Sequence, residues 1–328
     1  MRSAFLKRAL KIYAWQVALL LFLFSFIALI GSAKQEDAIV NLLTYYWQQP
    51  VTAFINGLFL LYNPPLLDIL PMYILFMLIS APLMLHGVRH GWAPILAASI
   101  ALWLAAQFDV GRWIYDWLAE QASTKLPPVG ATGSFSIAAW QLLWVLGLWM
   151  GATTIATSET DEQATPRRFP TWIVLTALVV ALVGFAWRHA LGQTYGGNAE
   201  LNLLFDKWKL GPLRVINLMA LVVLVIHYGP ALRRLPRSRF LEALGAASLA
   251  VFVSHLVIAL LALTYLGPPS PERPLWVDVT LFFGTYAILY LVAWITQQVD
   301  RRSALARDRV RGWAAQGSRA LISRRHKA

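Results

Sequence analysis

Long apolar runs separated by short polar stretches dominate the hydropathy pattern of this chain. A transmembrane helix needs about 20 predominantly apolar residues, and most of these runs reach or approach that length. The pattern therefore predicts an all-α integral membrane bundle with about eight transmembrane helices. The predicted spans cover residues 12–30, 63–85, 92–108, 135–156, 169–187, 213–228, 240–266 and 275–299.

The segments between these runs are predicted as short helices, turns and loops. Residues 39–62 are moderately apolar but are interrupted by polar residues, proline and glycine, which favours an outer pair of short interfacial helices. Residues 86–91 are predicted to form a turn because they contain two glycines. Residues 109–134 are predicted to form a polar outer loop. A reporter inserted near Thr124 is therefore expected on the outer side.

The charged residues orient the predicted bundle. Hydrophobic residues make up 58% of the chain, and Lys+Arg exceed Asp+Glu by 28 to 16. The basic residues cluster at the ends of apolar runs, which favours a membrane over nucleic acid as the partner. The bias predicts that both termini lie in the cytoplasm. Residues 1–300 are predicted as the membrane domain, and residues 301–328 as a basic tail helix on anionic lipids of the inner leaflet.

Polar side chains gather at the predicted outer ends of the spans. One interpretation is that each is an interfacial anchor, or, for Asp68, a helix N-cap. The other is that they line a polar pocket open to the outside, because ionisable groups at membrane depth usually face inward and serve function. We favour the pocket. Its predicted substrate-binding members are Asp68, Tyr73, Trp140, Gln141, Lys207, Arg214 and Asn217, and His255 is its deepest ionisable member.

The types of these residues indicate the chemistry that such a pocket could support. His255 could act as a base if a carboxylate such as Asp68 fixed its tautomer, although a lone buried histidine is more often structural. Lys207 and Arg214 could hold a carboxylate or phosphate at a helix N-terminus. We predict no metal site and no permanently bound cofactor.

Four stretches give the chain a resemblance to the OpgC family, which is related to the acyltransferase-3 superfamily. They are LLDILPMY at 66–73, SFSIAAWQLLWVLG at 134–147, DKWKLGPLRVINLMAL at 206–221 and LGAASLAVFVSH at 244–255. The resemblance implies succinylation of osmoregulated periplasmic glucans with an acyl-CoA, succinyl-CoA, as the donor substrate. On this basis the protein is expected to be a membrane-bound O-acyltransferase of the bacterial inner membrane.

The chain departs from the family pattern at two places. Ser136 and Ile137 stand where the family has asparagine and proline. The first apolar run contains no histidine, whereas the superfamily places a catalytic-type histidine near its first transmembrane helix. The chain is therefore expected to lack the family's first two helices and to be inactive on its own, unless His255 serves as the base. Two alternatives stay open: a transporter or exporter of a carbohydrate or lipid-linked sugar, and a noncatalytic membrane partner.

Overall fold

The computed structural model of the protein describes residues 2–34, 36–121, 126–160, 169–192 and 197–325, so Thr124 lies outside the described residues. Every regular element in the described ranges is a helix. Seven helices there are long and apolar enough to cross a membrane, and one bent helix pair raises the number to as many as eight. The prediction of an all-α membrane protein with about eight spans is confirmed. The seven are Ser3–Lys34, Ile69–His90, Ile137–Thr154, Thr171–Ala190, Pro212–Leu232, Ser248–Leu266 and Leu275–Ser303.

The chain divides into two compact units, Met1–Pro236 and Arg237–Ala328. The predicted division at residue 300 between a membrane domain and a tail stays a prediction. The first unit contains twelve of the α-helices, and a π-helical turn, Leu23–Ile27, joins the first two of them. These helices are α1 (Arg2–Phe22), α2 (Ala28–Lys34), α3 (Asp37–Leu42), α4 (Thr44–Gln48), α5 (Pro50–Leu58), α6 (Ile69–His90), α7 (Ala93–Gln107), α8 (Val110–Gln121), α9 (Ile137–Thr160), α10 (Thr171–Leu191), α11 (Ala199–Asn202) and α12 (Pro212–Leu232).

The long helices of the first unit pack in neighbouring pairs. Helix α1 lies against α6, α7 against α9, and α10 against α12, while α6 also contacts α9. Proline occupies the first turn of α5, α7 and α12, where it removes no intrahelical hydrogen bond. The loops that precede α6, α9 and α12 lie close together, because hydrogen bonds join them.

Helix α6 begins and ends later than the sequence suggests. It begins at Ile69 and continues to His90, so the prediction of a turn over residues 86–91 is wrong. Gly87 lies inside the helix and packs against Trp92: a Cβ there would come within 2.5 Å of the indole. Gly91 ends the helix with φ of 90°, a conformation that glycine adopts without strain.

The segments predicted as loops and interfacial pieces are more helical than expected. Three short helices, α3 to α5, occupy the region predicted to hold a pair, and their depth in a membrane stays a prediction. The predicted polar loop 109–134 contains helix α8, whose axis is bent by 75° from that of α7. The loop prediction was wrong for residues 110–121 because it weighed their charges and ignored their helical periodicity.

The second unit contains α13 (Arg239–Ala246), α14 (Ser248–Leu266) and α15 (Leu275–Arg325). The predicted single helix over residues 240–266 is broken at Ala247, which has φ of −106° and ψ of 28°. Ser238 caps α13 by accepting a hydrogen bond from the Leu241 N–H. Gln297 on α15 donates to the Ala243 carbonyl over 3.0 Å, so α13 lies along α15.

Helix α15 continues without a break from the last candidate span into the basic tail. The side chains beyond residue 303 lie outside the part that the structure describes. The proposed contact of this tail with anionic lipid therefore stays a prediction.

Candidate functional site

Three loops of the first unit are joined to one another by backbone hydrogen bonds. The Asn63 N–H donates to the Ala131 carbonyl over 3.0 Å, and the Ser136 N–H donates to the Trp208 carbonyl over 3.0 Å. The Asn63 side-chain amide also donates to the Thr132 carbonyl over 2.7 Å. We call this assembly the loop junction. It comprises residues 63–68, 126–136 and 203–211, which lead into α6, α9 and α12.

The loop junction holds a buried carboxylate. Asp68 is only 6% exposed, and its Oδ2 accepts a hydrogen bond from the Ser134 N–H over 2.9 Å. Asp68 occupies the N-cap position of α6, but its side chain makes no capping hydrogen bond there. Burial raises the pKa of Asp68 by desolvating its charged form, while the Ser134 N–H and the positive charge of Lys207 act in the opposite sense. A buried carboxylate with a raised pKa is a frequent feature of functional sites.

Gly133 allows the loop to approach this carboxylate closely. Its φ is 117°, and a Cβ there would lie 3.1 Å from the Asp68 Cβ and 3.4 Å from the Asn63 Cβ. The Asn63 Oδ1 is buried and has no hydrogen-bond donor among the described residues. A buried polar atom without a partner costs about 1–3 kcal/mol, so a donor that reached this oxygen would stabilise the junction.

An aromatic platform with a cation lies in the same junction. Phe135 makes edge-to-face contacts with Trp140 and Trp208, each with ring centroids 5.0 Å apart. The Trp140 Nε1–H donates to the Trp208 carbonyl over 3.1 Å. The Lys207 ammonium lies 3.9 Å from the Trp208 ring centroid, in cation–π geometry. Lys207 and Trp208 are both exposed, so they offer a positive charge and an aromatic face to a ligand.

Lys209 fixes this loop to the end of α7. Its ammonium pairs with the Asp109 carboxylate over 2.5 Å, and its N–H donates to the Asp206 carboxylate over 2.6 Å. Its carbonyl accepts a hydrogen bond from the Gln107 side chain over 2.8 Å. The turn that presents Lys207 and Trp208 is therefore held by charged and neutral hydrogen bonds at Lys209.

Two predicted site residues make contacts with a neighbouring helix: Gln141 is buried, and Tyr73 is 40% exposed. Gln141 is 8% exposed and exchanges two hydrogen bonds with Ser99: it donates to the Ser99 carbonyl over 2.8 Å and accepts from the Ser99 hydroxyl over 2.7 Å. Tyr73 makes an edge contact with Trp144, with ring centroids 5.7 Å apart. These contacts join α7 to α9 and α6 to α9.

Two further predicted residues lie on α12 and face neighbouring segments. The Arg214 Nε–H donates to the Phe205 carbonyl over 2.5 Å, at the end of the loop that carries Lys207. Asn217 packs against Gly184 of α10, where a Cβ would lie 2.7 Å from the Asn217 Oδ1. That oxygen is buried without a hydrogen-bond donor among the described residues. Arg214 thus stabilises the loop, and Asn217 offers a second unsatisfied acceptor.

The structure brings Asp68 and Lys207 into the loop junction, and Trp140 of α9 packs against it. His255 lies on α14 of the second unit and is exposed, and its part in a site stays a prediction. Sequence reasoning missed Ser134 and Trp208 as members of the site. Trp208 was detectable, because it stands directly between two lysines in the DKWK segment.

The profile of the OpgC protein family matches residues 1–301. The chain belongs to the OpgC protein family. Neither a curated protein nor a solved structure matches it. Three of the stretches that carry the OpgC resemblance, at 66–73, 134–147 and 206–221, meet at the loop junction.

Proposed function

We propose that this OpgC family protein is a membrane-bound O-acyltransferase that transfers a succinyl or similar acyl group from acyl-CoA to a periplasmic glucan. Family membership supports an acyltransferase activity. The main structural support for the proposal is that three OpgC stretches, which are distant in the chain, lie together around Asp68, Lys207 and Trp208. Packing alone would not require a buried carboxylate and an exposed lysine on the same loops.

Each of these three side chains suits a part of the substrates. The exposed face of Trp208 offers an apolar surface on which a sugar ring can pack. Lys207 supplies a positive charge for the free carboxylate of a succinyl group. Asp68 can accept a hydrogen bond from a glucan hydroxyl when it is ionised.

The proposed reaction needs a base but no oxidant or reductant. The glucan hydroxyl oxygen forms a bond to the thioester carbonyl carbon, the carbon–sulfur bond breaks, and the hydroxyl proton ends on the thiolate of coenzyme A. A positioned base typically contributes about 10²–10⁴ in rate to such a step. We propose His255 as the base in this chain, as the sequence analysis suggests.

The proposal places the loop junction on the periplasmic side of the inner membrane and both termini in the cytoplasm. The excess of basic residues at the chain start, in the turn at 233–239 and in the tail supports this orientation. A reporter fused after Ala328 is expected to be cytoplasmic. A periplasmic signal from it would reverse the orientation.

Succinyl transfer can be measured with membranes that contain the protein, isolated glucan and succinyl-CoA. If His255 serves as the base, mass spectrometry of the recovered glucan should show succinyl esters, whereas a chain that is inactive on its own should leave the glucan unmodified. Lys207→Met, which keeps an unbranched side chain of similar length but removes its charge, should reduce transfer. Lys7→Met on α1 removes another exposed lysine and should not reduce it. His255→Ala tests the base in the same assay. Glucan that crosses vesicle membranes unmodified would favour the transporter alternative and contradict the proposal.

A further inference from the structure

Helix α8 presents an apolar face that the described residues leave uncovered. Trp113, Ile114, Trp117 and Leu118 are 66%, 54%, 60% and 48% exposed, and their spacing places them on one side of the helix. The other side carries Arg112 and Asp116, which form an ion pair over 3.7 Å, and Glu120. The helix is therefore strongly amphipathic, and its apolar side needs a partner.

The position of α7 fixes where α8 lies. The Trp103 indole donates to the Leu210 carbonyl over 2.9 Å, and the Gln107 amide donates to the Lys209 carbonyl over 2.8 Å. The last turns of α7 therefore reach the loop junction, at the end of the first unit where α12 begins. After Asp109, which has φ of 58°, the chain turns by 75° into α8. Helix α8 thus runs across this end of the bundle instead of along the spanning helices.

The length of α7 indicates the depth of α8. Its 15 residues rise about 22 Å, which is less than the ~30 Å thickness of the hydrocarbon core. A helix that starts where α7 ends is consequently still close to the hydrocarbon edge. Interfacial amphipathic helices bury their apolar side about 5–10 Å into this boundary, and tryptophan is enriched there.

The apolar surface of α8 is also continuous with that of a spanning helix. Leu102 and Leu104 of α7 are 52% and 47% exposed, and Phe108 at the bend is 70% exposed. Helix α7 is hydrophobic on several sides, as expected of a helix that contacts lipid. The same lipid can therefore cover both helices.

We propose that α8 lies in the bilayer interface with its Trp113 and Trp117 side against phospholipid acyl chains. Its charges are one arginine against one aspartate and one glutamate, so anionic headgroups gain nothing by contacting it. The fitting partner is a zwitterionic phospholipid surface. Tyr115 donates to the Pro127 carbonyl over 2.7 Å, which ties α8 to the loop junction.

Site-directed spin labelling tests this proposal directly, because the chain contains no cysteine. The matched variants are Ile114→Cys on the apolar side and Asp116→Cys on the polar side, labelled in phosphatidylcholine nanodiscs. We expect the label at 114 to be reached severalfold better by oxygen than by a water-soluble nickel chelate, and the label at 116 to show the reverse. Leu118→Cys and Arg112→Cys form a second pair if either first variant fails to fold.

Four results would contradict the proposal. Equal access of the nickel chelate to both positions would place α8 in water. If oxygen reached the labels at both positions better than the nickel chelate did, α7 and α8 would form one broken span. Shielding of position 114 from both reagents would mean that protein, such as a second copy of the chain, covers the face. Stronger protection of position 114 after part of the phosphatidylcholine is replaced by phosphatidylglycerol would contradict the choice of a zwitterionic surface.

Discussion

Replacing Gly133 with alanine should destabilise the protein through the loop junction. Gly133 has φ of 117°, a conformation that residues with a Cβ adopt at a cost of about 1–3 kcal/mol. The added Cβ would also lie 3.1 Å from the Asp68 Cβ, which is closer than ordinary van der Waals contact. Asp68 cannot withdraw freely, because it is buried and bonded to the Ser134 N–H. We therefore expect a loss of about 1–3 kcal/mol in the free energy of unfolding.

Gly130→Ala is the matched control for this substitution. Gly130 lies in the same loop, and a Cβ there would meet no atom within 4 Å. Alanine at such a position stabilises by about 0.4–1 kcal/mol, because it restricts the unfolded chain. Thermal unfolding of both variants in detergent can be followed through the intrinsic fluorescence of the 15 tryptophans. Equal melting temperatures for the two variants would refute the assignment of Gly133 as a strained close-contact position.

Three other substitutions test contacts around the site. Because the pKa of Asp68 is raised in the folded state, the free energy of unfolding should fall as pH rises above the normal aspartate pKa of ~3.9. Asp68→Asn should flatten this pH dependence in melting curves, and parallel pH profiles of the two proteins would contradict the prediction. Ser99→Ala leaves the buried Gln141 Oε1 without its donor and should cost about 1–3 kcal/mol, whereas exposed Ser32→Ala should cost little. Lys209→Met removes a partly exposed ion pair and should cost at most about 1 kcal/mol in the same melting assay, and a larger loss would show a greater structural role.

The spanning helices were predictable because the bilayer imposes a length and a composition on each of them. The ends of the helices were less predictable, since they depend on contacts between distant residues. Gly87 illustrates this: two glycines close together favour a turn, but the indole of Trp92 occupies the space that the missing Cβ leaves. Helix α8 was missed for a different reason, because its charged residues obscured the spacing of Trp113 and Trp117.

The charged residues of the candidate site were predictable from the sequence, but their hydrogen-bond partners were not. Asp68 and Lys207 stood out because each is an ionisable residue close to an apolar run. The partner of Asp68 is a backbone N–H 66 residues away, and such a tertiary contact leaves no trace in local composition. Gln141 was selected for its polarity at membrane depth, yet its amide is fully engaged with Ser99 and Ala138. Polarity in an apolar run therefore indicates a buried hydrogen bond as readily as a substrate contact.

The backbone of the loop junction is held by hydrogen bonds within the protein. The Gly211 N–H donates to the Asp206 carbonyl over 2.8 Å, the Lys209 N–H bonds to the Asp206 carboxylate, and the Ser136 N–H bonds to the Trp208 carbonyl. The turn that carries the exposed side chains of Lys207 and Trp208 is thus closed by hydrogen bonds at both ends. Ordering a loop costs about 1–2 kcal/mol per backbone residue, and a preformed turn does not incur this cost when a ligand binds. At the end of a membrane bundle the same bonds satisfy backbone groups that lipid could not, so stability in the bilayer and preorganisation of the site have one physical origin.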